Sequence, residues 1–336
     1  MGRANPFRKD EMMARVFSGM RPTGRLHIGH LLGALEKWVE LQREHECFFS
    51  IVDWHALTTG YKDTSEMKAN IYEMAIDWLS VGVDFEKSTV FLQSQVKEHA
   101  ELHLLLSMII PMAWLERNPT LKSMLQDMHI TTVNYGLMGY PVLQTADILM
   151  YKGQKVPVGE DQVPHLEMSR EIVRSFNRMY KPVFPEPEAI LTTTPRLPGI
   201  DGKKMSKSLD NCIYISDEPD VIKKKVQMLV TDPQKIRKND PGRPEICSVF
   251  EYHKIFNPGE TDQIDADCRA GRLGCVADKN HLAEIIDRRL KPYREVRKEY
   301  AEKIGLIQDM LNEGARRAQK IATKTMSDVR DAMGLF

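Results

Sequence analysis

No run of apolar residues in this sequence approaches the roughly twenty that a membrane-spanning helix requires. There is no internal repeat and no low-complexity tract, which removes solenoid, collagen-like and disordered-chain readings. Net charge is missing too, with 47 basic and 47 acidic residues. That balance excludes a chain built to coat nucleic acid non-specifically, but not one with a local basic face. Residues Met1 to Arg15 are polar and lack the apolar stretch of a secretory signal. A disordered or extended segment is expected over 1–14, with Met12 and Met13 as alternative starts. Cysteine is scarce and odd in number, five in 336 residues, which fits a reducing cytoplasm and no disulfide framework.

What is present is enough for a full hydrophobic core and for two domains. Arg15 to Ser18 is a strand candidate, followed by a turn over Gly19 to Gly24 that contains Pro22. From Gly29 the apolar period becomes helical, with Leu31, Leu32, Leu35 and Val39 on one face. A continuous apolar run at Phe48 to Asp53 reads as a buried strand, and Thr89 to Gln93 and Val156 to Val158 read as further strands. Helical patterns cover roughly 65–81, 99–115, 142–150 and 162–176. Strands that are apolar throughout and alternate with helices predict a parallel sheet covered by helices. The fold class expected is α/β, a Rossmann-like parallel-sheet catalytic domain with a C-terminal all-helical domain. Pro195 to Gly202 carries a loop at the boundary, and beyond Asp217 only helical patterns remain. The domains are placed at 15–210 and 211–336.

Two motifs carry chemistry. The first is His27-Ile28-Gly29-His30, where a helix opens beside the carboxyl edge of the sheet. Free backbone N–H groups and the helix dipole there favour a phosphate, and the two imidazoles can donate to phosphoryl oxygens. Glycine lets a nucleotide approach the backbone. Alone, this turn is equally well a helix start with two surface histidines. The second motif is Lys204-Met205-Ser206-Lys207-Ser208, preceded by Gly202. Two lysines three apart on a loop can neutralise a departing pyrophosphate, as nucleotidyl transfer demands. A solvated basic loop is the plain alternative; the two motifs together, in this order, argue for ATP chemistry.

Across nearly its whole length the chain resembles class I aminoacyl-tRNA synthetases, and among them the tryptophanyl-tRNA synthetase family. The resemblance rests on Phe17 to Gly24, His27 to His30, Val52 to Ala56, Tyr140-Pro141 through Asp147, Val158 to Gln162, Lys204 to Ser208 and Ala332 to Leu335, in the family's order. It implies catalytic roles for His27, His30, Lys204 and Lys207. It implies ATP contacts from Arg21, Pro22, Thr23, Gly29, His30, Gly159, Glu160, Asp161, Leu197, Lys204, Met205, Ser206, Lys207 and Ser208. Asp147 is implied to accept the indole N–H, and a carboxylate is the natural partner of a group that only donates. Phe17, Tyr140, Gln144, His55, Val156 and Val158 are implied to line the tryptophan pocket, with Gln162 at the α-amino group. Gln144 and Arg21 depart from the residues frequent in the family. ATP with Mg2+, L-tryptophan, tRNA(Trp) and a second copy of the chain are the implied partners, with no membrane and no DNA. A dimer-interface insertion is placed near 99–150.

Two basic clusters follow, Lys223 to Lys225 with Lys235, Arg237, Lys238 and Arg243, then Arg288, Arg289, Lys291, Arg294, Arg297 and Lys298. Basic helical faces suit an RNA backbone, and the resemblance places anticodon recognition here. A solvated helix surface is the simpler reading of such runs. Cys247, Cys268 and Cys275 lie in the same region, where one branch of the family holds an iron–sulfur cluster on four cysteines. Here the fourth position is Asp278. A [4Fe-4S] cluster, a zinc ion using Asp278 or His281, and no metal are all open readings. Cys47 and Cys212 read as structural. The rival functions are a tyrosyl-tRNA synthetase, a small-molecule nucleotidyltransferase and a catalytically altered paralogue.

Overall fold

The computed structural model describes residues 13–119, 122, 125, 130–192 and 197–336, with the side chains of Asp161 and Ser208 outside that set. The segment expected to be disordered over 1–14 lies, up to residue 12, outside the described residues. The chain folds into two compact units. The first unit comprises Met1–Gly24, Ala34–Thr193 and Lys303–Phe336, and the second Arg25–Gly33 and Thr194–Glu302.

In the first unit, five strands form one sheet in the order β3-β2-β1-β4-β5. They are β1 (Arg15–Met20), β2 (Glu46–Ile51), β3 (Thr89–Leu92), β4 (Lys155–Val158) and β5 (Glu188–Leu191). Every pairing is parallel. The first four match the expected strands. β5 is an addition: it is an edge strand whose residues are exposed or half-buried, so no apolar run marks it. Chain order reverses between β1 and β4, and in open parallel sheets that switch point is where a ligand crevice opens at the carboxyl ends. Arg21 to Thr23 leave β1 there, and Gly159 to Asp161 leave β4.

The expected helix over 99–115 is split into Glu98–Ser107 and Met112–Glu116 because Pro111 cannot continue the backbone hydrogen bonds. Tyr135–Met150 begins earlier than its apolar period suggests. Asn134 caps it, its side chain accepting from the Leu137 N–H at 2.8 Å. Phe17, Phe48, Phe91, Leu102, Leu149 and Tyr151 meet in the core beneath the sheet's helices.

The last helix, Ile304–Met333, belongs to this unit. Its buried residues include Gly314, Ala315, Ala318 and Ala322, and side chains this small let a helix approach β3 at backbone distance. A Cβ on Gly314 would lie 1.7 Å from the Val90 carbonyl oxygen. Arg317 fastens the same face, donating to the carbonyls of Phe85, Glu86 and Ser88. Because backbone cannot yield as a flexible side chain does, Gly314→Val is expected to cost about 3 kcal/mol or more by overpacking. A thermal unfolding curve superimposable on that of the parent would contradict this packing.

The second unit is helical, with Pro219–Met228, Ser248–Phe256, Thr261–Arg269 and Cys275–Ala301. Residues 25–33 join it through backbone. Ile28 N–H donates to Ile213 at 3.0 Å, Ile215 N–H donates to Leu26 at 3.0 Å, and His27 pairs with Tyr214 in an antiparallel bridge. Among the described residues, no helix is long and apolar enough to cross a membrane.

Candidate active site

Those backbone bonds bring the two motifs into one unit, although they lie far apart in the chain. His27 is the N-cap of the helical turn Ile28–His30, which continues as a π-helical turn over Leu31–Leu35. Its Nδ1 accepts from the Gly29 N–H at 3.1 Å, and the His30 Nδ1 accepts from the His27 N–H at 3.3 Å. Both imidazoles therefore use Nδ1 as an acceptor, so in each neutral ring the hydrogen sits on Nε2. The reciprocal cap fixes two N–H donors of known tautomer. Gly29 is required by this arrangement, because a Cβ there would come within 2.9 Å of the His27 ring.

Burial, with the Lys207 charge second, lowers the His27 pKa to about 4. His30 is pushed well below its ordinary value by burial, then by His27 and Lys207. Both are neutral donors at pH 7. Between pH 6.5 and 4 the unfolded chain binds a proton at residue 27 that the folded chain does not, so stability falls as pH drops through that window. His27→Asn keeps a capping side chain without a titrating ring. Its melting temperature is expected to fall less steeply than that of the parent from pH 6.5 to 4, and parallel curves would count against the buried neutral ring.

The lysine loop is built on Asn211, which sequence reasoning did not single out. Asn211 is buried, and its Oδ1 accepts from the Ser206 N–H at 2.7 Å. Its amide donates to the Lys204 carbonyl at 3.1 Å and to Asp201 at 2.8 Å. Gly199 makes room for it, since a Cβ there would lie 2.3 Å from the Asn211 amide nitrogen. Lys204 pairs in an antiparallel bridge with Pro198, Lys207 opens a short 3-10 turn, and Met205 and Leu197 are buried.

In the first unit, Asp147 is 2% exposed and surrounded by donors. His55 Nε2 lies 2.8 Å from its Oδ2, His99 Nδ1 2.6 Å from its Oδ1, and the Gln93 amide 2.8 and 2.9 Å from the two oxygens. Burial alone would raise this carboxyl's pKa; the hydrogen bonds from His55 and His99 outweigh it and hold the value at about 2. Phe17, Val156 and Val158 are buried strand residues, and Tyr140 lies edge-on to His55 with ring centroids 6.2 Å apart. Tyr140 hydroxyl pairs with His165 Nε2, and His165 Nδ1 lies 3.1 Å from Gln162 Oε1. Gln144 is half-buried, while Arg21, Thr23 and Glu160 are exposed at the switch-point end of the sheet and Pro22 is buried. Gln93, His99, Tyr151 and His165 were not expected here. The one signal for His99 is its place three and seven residues before Leu102 and Leu106, a polar residue on an apolar helix face.

The chain matches the family model "tRNA synthetases class I (W and Y)" over residues 9–291. It is 47% identical to the tryptophan–tRNA ligase of Aquifex aeolicus (strain VF5), across 96% of this chain and 100% of that one. It belongs to the tryptophan–tRNA ligase family of class I synthetases. The Thermotoga maritima tryptophan–tRNA ligase is also 47% identical, over 96% of this chain and 99% of its own. Among solved structures, the tryptophanyl-tRNA synthetase of Campylobacter jejuni complexed with ADP and tryptophan superimposes with a TM-score of 0.86 at 35% identity, covering 96% of this chain and 100% of that one. The synthetase family is an enzyme family that uses ATP.

The cysteine region does not fit the metal expected from one branch of that family. Three thiols are present, Cys247, Cys268 and Cys275, and a four-thiolate cluster needs another. The fourth position, Asp278, lies 3.0 Å from the buried His253 Nε2, and His281 lies 2.7 Å from Glu260. Among the described residues, no three His, Cys, Asp or Glu side chains are grouped to hold a metal ion. Cys47 and Cys212 are buried thiols, pushed up to about 12 and about 11 by burial.

The basic clusters also divide. Lys225 pairs with Asp217 at 2.7 Å, Arg243 grips Asp232 with two nitrogens at 2.7 and 2.9 Å, and buried Arg294 pairs with Asp287. Lys235 is buried and donates to the Lys238 and Asp240 carbonyls. Lys223, Lys224, Arg237, Lys238 and Arg288 are exposed.

Proposed function

We propose that the chain joins L-tryptophan to the 3′-terminal adenosine of tRNA(Trp) in two steps. A carboxylate oxygen of tryptophan attacks the α-phosphorus of ATP. The bond from that phosphorus to the β-phosphate's bridging oxygen breaks, and pyrophosphate leaves. A ribose hydroxyl of the tRNA then attacks the acyl carbon and releases AMP. The first step needs no general base, because the attacking carboxylate is already a nucleophile; catalysis is positioning and electrostatics. His27 and His30 donate through Nε2 to phosphoryl oxygens, and Lys204 and Lys207 neutralise the pyrophosphate, whose Mg2+ enters with the nucleotide. Gly159, Glu160, Asp161 and Leu197, with Met205, Ser206 and Ser208, complete the nucleotide contacts, and Arg21 to Thr23 add to them.

The observation that carries the choice of amino acid is the buried, ionised Asp147, a pure acceptor suited to an indole N–H. Phe17, His55, Tyr140, Gln144, Val156 and Val158 line that pocket, and Gln162 holds the α-amino group. The exposed lysines and arginines of the second unit bind the tRNA backbone. Exposed Leu104, Met108, Met112 and Tyr135, at 53%, 68%, 53% and 73%, support a homodimer formed through the 99–150 region. The enzyme works in the cytoplasm, where its unpaired thiols stay reduced. Pyrophosphate exchange with tryptophan and tyrosine, followed by charging of a tryptophan-accepting tRNA, tests the assignment. Exchange with tyrosine alone would overturn it.

A further inference from the structure

The donors around Asp147 are themselves held from behind. Gln93 Oε1 accepts the Trp54 backbone N–H at 3.2 Å, so its amide cannot flip and keeps N–H groups on the carboxylate. His99 is 0% exposed, and with Nδ1 donating to Asp147 its Nε2 is left for a second partner. The Tyr151 hydroxyl is 2.7 Å from that Nε2. Tyr151 sits in an aromatic cage, stacked on Phe17 and Phe48 and edge-on to Phe91. Burial, followed by the nearby Asp147 and Glu98 charges, raises its pKa well above the ordinary value, so it keeps its proton. A chain of hydrogen bonds thus links Tyr151 through His99 to Asp147.

We propose that His99, locked by Tyr151 and flanked by Gln93, is a positioning residue that aims the Asp147 carboxylate at the indole N–H and keeps it ionised. This rests on Asp147 being the indole acceptor. A carboxylate offers about four lone-pair sites. His99, Gln93 and His55 together make four contacts with its two oxygens, so an incoming N–H takes the place of His55, the donor that lies against Tyr140. The other titratable groups facing Asp147 are His55 and His103, and burial lowers the His103 pKa. Without the His99 N–H, the effect of burial on Asp147 is opposed by fewer donors, so its pKa rises toward the assay range.

The test is pyrophosphate exchange by the full chain from pH 5 to 8, with melting temperatures alongside. For His99→Ala, the KM for tryptophan is expected to rise roughly ten- to hundredfold, with the KM for ATP unchanged, as befits a hydrogen bond to a charged group. That rise should steepen toward low pH. Asparagine places an amide N–H where the Nδ1–H was, so His99→Asn should restore most of the tryptophan KM and flatten the pH profile. Tyr151→Phe should give a smaller rise of the same kind, and it serves as the test if His99→Ala does not fold. Equal losses in the alanine and asparagine variants, affecting ATP and tryptophan alike, would overturn the proposal by making His99 a packing residue. Asp147→Asn separates the two claims. If it impairs tryptophan binding while the His99 and Tyr151 variants do not, the indole assignment stands and this inference falls; if it has no effect, both fall.

Discussion

Lys207→Ala should lower the rate of tryptophan-dependent pyrophosphate exchange by roughly two to three orders of magnitude, the usual loss when one donor to developing transition-state charge is removed. Tryptophan binding, measured by calorimetry without ATP, should be unchanged, because the proposed amino-acid contacts come from other residues. The rate falls more than the affinity because pyrophosphate gains charge only as the phosphorus–oxygen bond breaks. The substitution has a second signature. The Lys207 charge helps depress both His27 and His30, so removing it should move the His27 titration up from about 4 without reaching the ordinary value, since burial, the larger cause, remains. Nuclear magnetic resonance of the imidazole protons would follow that shift. Parent-like exchange in this variant would remove the loop from the chemistry.

The first four strands were legible in the sequence, and so was the parallel sheet they form. β5 was not, because Glu188–Leu191 is an edge strand without an apolar stripe. The return of Ile304–Met333 to the sheet was hidden for another reason. Helical period shows that a helix has a buried face but not what lies against it, and only the small residues from Gly314 to Ala322 hinted at backbone-to-backbone approach. Charge counting failed similarly in the second unit. Arg243 and Lys225 look free in the sequence, yet each has an acid brought to it by the fold, Asp232 and Asp217.

The motifs themselves were readable, but their supports were not. Nothing local in the sequence marks Asn211 as the side chain on which the Lys204 loop is hung, since its partners lie five to ten residues upstream in an irregular segment. The capping exchange between His27 and His30 was closer to the surface of the sequence. Two histidines three apart at a helix start have the N-cap to N3 spacing of a capping box, and imidazole nitrogen can replace the usual oxygens.

Asp147→Asn should lower kcat/KM for tryptophan by about a hundredfold or more, reflecting loss of a charged acceptor worth about 1.5–3 kcal/mol plus the misfit it creates. The misfit follows from the donors. His55, His99 and the orientation-locked Gln93 all present N–H groups to this side chain, and an amide answers them with one oxygen and an NH2 that faces other donors. Some of the loss should therefore appear as reduced stability, visible as a lower melting temperature. The parent's carboxylate contributes its full stabilisation above its ordinary pKa of 3.8 and loses it as pH falls toward about 2, whereas the asparagine variant should show no such acid-side loss from this position. Exchange kinetics with a tryptophan analogue that carries sulfur in place of the indole N–H sharpen the reading. The parent should reject the analogue strongly and the variant only weakly, because the variant has already lost the acceptor that the analogue fails to use. A variant that discriminates as well as the parent would place the indole acceptor elsewhere in the pocket.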